Sequence, residues 1–139
     1  MKKILDSWAI LAWLQDEKPA CDQVQFSLNL AKNGEIELLM NLINVGEVYY
    51  RLIRSRDEES ANFFWNRLEN MPIRLIGINK SLTLIASTLK GKYRISYADA
   101  FAAATAITYE GLLITGDPEF REVSTLVEIE WLERYDGGV

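Results

Sequence analysis

Four carboxylates stand where apolar runs give way to helix starts: Asp6 after Ile4-Leu5, Glu47 after Val45-Gly46, Asp99 between Ala98 and Ala100, and Asp117 after Leu113-Ile114-Thr115-Gly116. Each has a local explanation. Asp6 and Asp117 have the form of helix caps, the second with Pro118 at the first helical position. Asp99 stands three residues after Ser96, as in a capping box, and Glu47 is one turn from Arg51. Capping does not explain the apolar flanks, which predict partial burial. Like charges crowded into a poorly solvated pocket raise one another's proton affinity, so they stay ionised together only beside a cation. The chain has no histidine, and Cys21 is its only cysteine. An intrachain disulfide, a Cys/His zinc site, a Cys-His dyad and a Ser-His-Asp triad are all excluded. Ligands that are all oxygen favour a hard ion, Mg²⁺ or Mn²⁺.

These acids need a scaffold that gathers them. With 139 residues, 49% of them hydrophobic, the chain is expected to form a single domain over residues 1–139. The run Lys3-Ile4-Leu5-Asp6 predicts a first strand, and Ile10, Leu11, Trp13 and Leu14 after Trp8 predict a helix that Asp16-Glu17-Lys18 and Pro19 break. Val24, Leu28 and Ala31 mark a second helix, closed by Asn33-Gly34, and Ile36 to Met40 a second strand. Val45, Val48, Tyr49 and Leu52 form a helical stripe, and Asp57 caps a further helix containing Phe64 and Leu68 that Met71-Pro72 ends. Strand three is Ile73 to Ile76. A helix over Ser81 to Leu89 is expected to stop at Gly91, and an alanine-rich helix runs from Ser96 to Glu110. Strand four is Leu112 to Thr115 and strand five Leu126 to Ile129, with a turn or short helix from Asp117-Pro118 between them. Alternating strands and helices predict a three-layer α/β/α sandwich around a mostly parallel, five-stranded sheet. Helices in such a sheet run antiparallel to the strands, so helix starts and strand ends share one edge. All four acids are predicted at that edge, where open α/β folds place their ligand sites.

The longest apolar runs fall far short of a membrane span, and Met1-Lys2-Lys3 leads into Asp6 instead of a signal-peptide core, which predicts a cytoplasmic protein with no membrane partner. The net charge of −5 is carried entirely by residues 117–136, where seven acids oppose two arginines, and the remainder is neutral. General attraction to nucleic acid is therefore weak, and binding of that kind needs a local basic surface.

Together, Ile4-Leu5-Asp6-Ser7, Asn44-Val45-Gly46-Glu47-Val48, Ser96-Tyr97-Ala98-Asp99-Ala100 and Leu113-Ile114-Thr115-Gly116-Asp117 resemble the acidic motifs of PIN-domain ribonucleases, and most of all the VapC-type toxins of toxin-antitoxin pairs. The resemblance spans nearly the whole chain in motif order and spacing. It implies that Asp6, Glu47, Asp99 and Asp117 are the catalytic, metal-binding quartet, and that Ser7 and Thr115 are the hydroxyls that orient them, although many members have threonine where Ser7 stands. It implies metal-dependent hydrolysis of RNA phosphodiesters by in-line attack of water, leaving a 5′-phosphate. It also implies a homodimer and a cognate antitoxin lying over the acidic pocket.

Near the start of the Asp99 helix, Lys90, Lys92 and Arg94, with Lys80, make a candidate RNA-binding rim, or simply a solvated connection. Arg51, Arg54 and Arg56 read as solubilising, or as paired with Asp57 to Glu59. Phe63, Phe64 and Trp65 point in successive directions, more aromatic surface than one helical face hides, so part of it suits a subunit or partner contact. Two other readings remain open: a non-catalytic PIN-like interaction module, and another Mg²⁺-dependent phosphoryl-transfer or receiver domain. Against the latter, Asp6-Ser7-Trp8 lacks paired acids after strand one, and no lysine follows strand five.

Overall fold

The structure is a computed structural model that describes residues 1–134; Asp136 of the acidic stretch lies outside the described residues. The elements in order are β1 (Lys2–Leu5), α1 (Ser7–Leu14), α2 (Ala20–Lys32), β2 (Glu37–Asn41), α3 (Leu42–Ser55), α4 (Glu58–Arg67), a 3₁₀ turn (Leu68–Asn70) and β3 (Ile73–Ile76). They continue with α5 (Lys80–Lys92), α6 (Tyr97–Tyr109), β4 (Leu112–Thr115), a second 3₁₀ turn (Pro118–Val123) and β5 (Ile129–Trp131). All strand pairs are parallel, in the order β3-β2-β1-β4-β5.

Successive strand residues serve opposite cores, because side chains alternate across a pleated strand. Leu5, Leu38, Met40, Ile73 and Ile114 join Ile10, Val24, Val48 and Phe64 of α1 to α4 on one face. Ile4, Leu39, Ile76 and Leu113 join Leu82, Leu89 and the buried alanines of α6 on the other. Both faces of the sheet are covered, which gives the three-layer sandwich expected of a parallel sheet. Among the described residues no helix is long and apolar enough to cross a membrane.

The order also locates the site. From β1 the chain builds outward through β2 and β3, then crosses to place β4 and β5 on the other side, so the direction reverses between β1 and β4. Ligand crevices of open α/β sheets form at such a reversal.

Three boundaries depart from expectation. The fifth strand is Ile129–Trp131 instead of Leu126 to Ile129. Leu126 and Val127 donate their N–H groups to Val123 O at 2.9 and 3.1 Å, so they close a turn and Val127 plugs the core from there. Gly91 does not stop α5, which runs on to Lys92, since an isolated helical glycine costs only about 1 kcal/mol against alanine. Leu68 leaves the α4 helix for the 3₁₀ turn that follows it.

Candidate metal centre

Asp6 stands at the end of β1 and Asp117 two residues beyond β4, the adjacent strand, while Glu47 projects from the second turn of α3 and Asp99 from the first turn of α6. Asp6, Glu47 and Asp99 are buried, and Asp117 is intermediate. The capping explanations hold as well: Asp6 Oδ1 accepts from Ala9 N at 2.8 Å and Asp117 Oδ1 from Glu119 N at 2.9 Å. Each cap occupies one carboxylate oxygen and leaves the other for a second role. At Asp6 that second oxygen accepts from Thr115 Oγ1 at 2.5 Å, and the same hydroxyl accepts from Asp117 N at 3.0 Å, so one side chain fixes two acids. Ser7 Oγ donates to Glu47 Oε1, and Arg51 holds Glu47 Oε2 at 3.2 Å.

Asp99 is different. Ser96 Oγ accepts from its backbone N–H at 3.1 Å, yet its Oδ2 is buried with no hydrogen-bond partner among the described residues. A buried acceptor without a partner costs about 1–3 kcal/mol, and more when it is charged. Burial, with the Asp117 charge next, pushes Asp99 up to about 7. Burial also pushes Asp6 up to about 8, against the bonds from Thr115 and Ala9 and with added repulsion from Asp99 and Asp117. A cation among these oxygens removes both penalties at once. Carboxylate oxygens of Asp99, Asp117 and Glu119 lie within 4.8 Å of one another, so this donor set fits a hard divalent ion. Glu119 was missed in the sequence, where it passes for one more charge of the acidic stretch; its signal is its place two residues after Asp117, inside the turn that Asp117 caps.

Glu47, Asp99, Asp117 and Glu119 line a cleft of about 770 Å³ whose wall also includes Trp8, Leu11, Tyr50, Arg51 and Arg54, whereas Asp6 is buried and does not line it. Gly116 sits under Trp8: a Cβ there would meet the indole, so any larger residue would have to displace Trp8 from the cleft wall. Lys90, Lys92 and Arg94 are exposed, but none of them lines the cleft. Lys90 instead donates to Ile95 O at 2.7 Å, tying down the loop before α6. The cations that do reach the cleft are Arg51 and Arg54, which the sequence assigned to solvent or to Asp57 to Glu59. Asp57 is spent capping α4 through Ser60 N, and Arg54 lies over the Tyr50 ring.

A second group of polar side chains was also missed. Asn41 Nδ2 donates to Asn44 Oδ1 at 2.9 Å and to Thr105 Oγ1 at 3.1 Å, and Asn44 Nδ2 donates to Ala98 O at 3.0 Å. These bonds join the end of β2, the start of α3 and the body of α6, fixing the helix of Glu47 against that of Asp99.

A family model described as PIN domain matches residues 3–126. No curated protein matches the sequence. Solved structures of similar fold include VapBC2 from Rickettsia felis bound to a promoter DNA fragment, 17% identical with a TM-score of 0.72, covering 96% of this chain and 100% of that one. VapBC-1 from nontypeable Haemophilus influenzae is 21% identical, with a TM-score of 0.69 and coverage of 94% and 98%. VapC20 from Mycobacterium tuberculosis, described as a Sarcin-Ricin loop cleaving toxin, is 14% identical, with a TM-score of 0.70 and coverage of 86% and 92%.

Proposed function

The chain belongs to the PIN-domain family, and from that premise we propose that it is a metal-dependent endoribonuclease, the toxin of a toxin-antitoxin pair, acting in the cytoplasm as a single domain over residues 1–139. The observation that carries the reading is the buried Asp99 Oδ2, without a partner among the described residues, on an acid that converges with Asp117 and Glu119 at the sheet's reversal point. Asp6, Glu47, Asp99 and Asp117 would hold Mg²⁺ or Mn²⁺; of these, Asp99 and Asp117 converge with Glu119 to within 4.8 Å, and Asp6 and Glu47 lie outside that group. When bound, the ion supplies Lewis-acid polarisation of the phosphoryl group and neutralises charge that develops on its oxygens. Thr115 holds the Asp6 carboxylate and Ser7 the Glu47 carboxylate in place. Asp117, the most accessible of the four, orients a water for in-line attack on phosphorus or contributes to a second ion site.

RNA as substrate, and an antitoxin as partner, are supported by fold similarity to VapC20 and to the VapBC proteins. The homodimer is carried by the same family reading, and the exposed Phe63 and Trp65 offer apolar surface for such contacts. Of the rim Lys90, Lys92 and Arg94, Lys90 holds the loop through Ile95 O, and Lys92 and Arg94 receive phosphates of RNA running past the cleft.

The test is the chemistry of the cut ends. Purified protein with end-labelled RNA and Mg²⁺ or Mn²⁺ is expected to leave 5′-phosphates, to stop on addition of EDTA and to resume when metal is restored. Products with 2′,3′-cyclic phosphate, formed at equal rate in EDTA, would overturn the mechanism. No cleavage of any RNA would favour the interaction module.

A further inference from the structure

Tyr50 lies three residues after Glu47 on α3, and residues at that spacing share a helical face. Its side chain lines the same cleft as Glu47, Asp99 and Asp117, yet it remains 42% exposed. The Arg54 guanidinium carbon stands 5.0 Å from the centre of the Tyr50 ring. The two arginines of the cleft differ. Arg51 is committed to Glu47 at 3.2 Å, whereas Arg54 pairs with no carboxylate among the described residues, although Glu17 and Glu119 line the same cleft. A half-exposed ring, and over it a planar cation with no carboxylate partner among the described residues, therefore sit one to two helical turns from Glu47.

We propose that Tyr50 and Arg54 form a stacking subsite for an unpaired base beside the phosphodiester held at the acids. This rests on the ribonuclease reading above. A ring face accepts any base, but only one that is not already stacked within a duplex. An acidic cleft repels a polyanion, and Arg54 is the cleft cation free to hold the flanking phosphate or to close over the base.

The experiment uses full-length protein, with Ca²⁺ as a hard ion of looser geometry, and oligoribonucleotides carrying the fluorescent base 2-aminopurine, either single-stranded or annealed. Wild type and Tyr50→Phe are expected to quench the single-stranded probe on binding. Tyr50→Ala should bind it about 5- to 100-fold more weakly, the range for loss of one stacked base. Arg54→Lys should keep the salt dependence and lose part of the quenching, because lysine retains the charge without the plane. Equal affinity and quenching by wild type and Tyr50→Ala, equal binding of annealed probe, or no binding at all would each overturn the subsite and leave the Tyr50 face to a protein partner. Cleavage separates this from the function itself: unchanged kcat and KM in Tyr50→Ala, with an active wild type, removes the subsite alone, whereas a wild type that cuts no RNA removes the ribonuclease reading.

Discussion

Two groups of polar side chains are buried beside the carboxyl edge of the sheet, one uncharged and one acidic. Asn41, Asn44 and Thr105 are wholly buried, and their amide and hydroxyl groups pair with one another and with Ala98 O and Phe101 O. Asp6 and Asp99 are almost as buried, repel each other, and leave Asp99 Oδ2 with nothing to accept from. Burial of matched polar groups gives registry at little net cost, whereas burial of unmatched charge stores a demand for a counter-ion. The first group makes the second possible. Asn44 stands one turn before Glu47 and bonds to the carbonyl of the residue before Asp99, so an uncharged clamp opposes the repulsion that would push the acids apart.

Substitution should separate the two groups by what each loses. Asp6→Asn or Asp99→Asn keeps shape, and at Asp6 the helix cap as well, since asparagine caps about as well as aspartate. The folded variants should cut RNA at least ~100-fold more slowly, which corresponds to ~2.7 kcal/mol of transition-state stabilisation. Wild-type rates in purified, folded protein would reduce these acids to caps. Asn44→Ala should do the reverse, costing stability first. It leaves buried groups unpaired at about 1–3 kcal/mol each, to be read as a lower denaturation midpoint. If it melts like wild type, the clamp is not what holds the two helices in register.

Acidity sharpens the contrast. The carboxyls of Asp6 and Asp99 lie above their unfolded values, at about 8 and about 7. Between pH ~4 and ~8, metal-free native protein therefore holds protons that the unfolded chain has lost, and its stability falls as pH rises through that window. Melting curves in EDTA should show this for wild type and a flatter profile for the Asp6→Asn/Asp99→Asn double variant, by several degrees at roughly pH 8. Parallel profiles would mean that the acids are not strained. The smallest effect belongs outside the cleft: Lys92→Ala/Arg94→Ala should lower the salt dependence of RNA binding by about 0.7 per lost phosphate contact and leave cleavage at saturating RNA unchanged. An unchanged slope would make that loop merely solvated.

Asp6, Glu47, Asp99 and Asp117 stood out in the sequence because each stands against apolar neighbours, a local conflict visible one motif at a time, whereas Glu119 is lost within the acidic stretch. Strand and helix order was legible for the same reason, as period-two and helical patterns need only adjacent residues. The clamp was not legible. Asn41 and Thr105 are 64 residues apart, and asparagine before a helix reads as an ordinary cap until a fold brings its amide to a partner. Arg54 is exposed, as a solubilising residue would be, but its place on the cleft wall was not legible, because its sequence neighbours include acids, while the turn into α4 commits Asp57 to a backbone N–H. The fifth strand slipped because Leu126 and Val127 are apolar enough for a strand, yet their N–H groups are already bonded back to Val123.

The central claim is that the acidic group is unmatched because a divalent ion completes it. Titration calorimetry of Mn²⁺ into metal-free wild type, Asp99→Asn and Asn44→Ala, each shown to be folded at the temperature used, tests this most directly. Wild type should bind with release of protons, since the raised carboxyls must ionise. Asp99→Asn should bind at least about tenfold more weakly with less proton release, and Asn44→Ala should lie between them. Identical affinity and proton release in wild type and Asp99→Asn would contradict the claim.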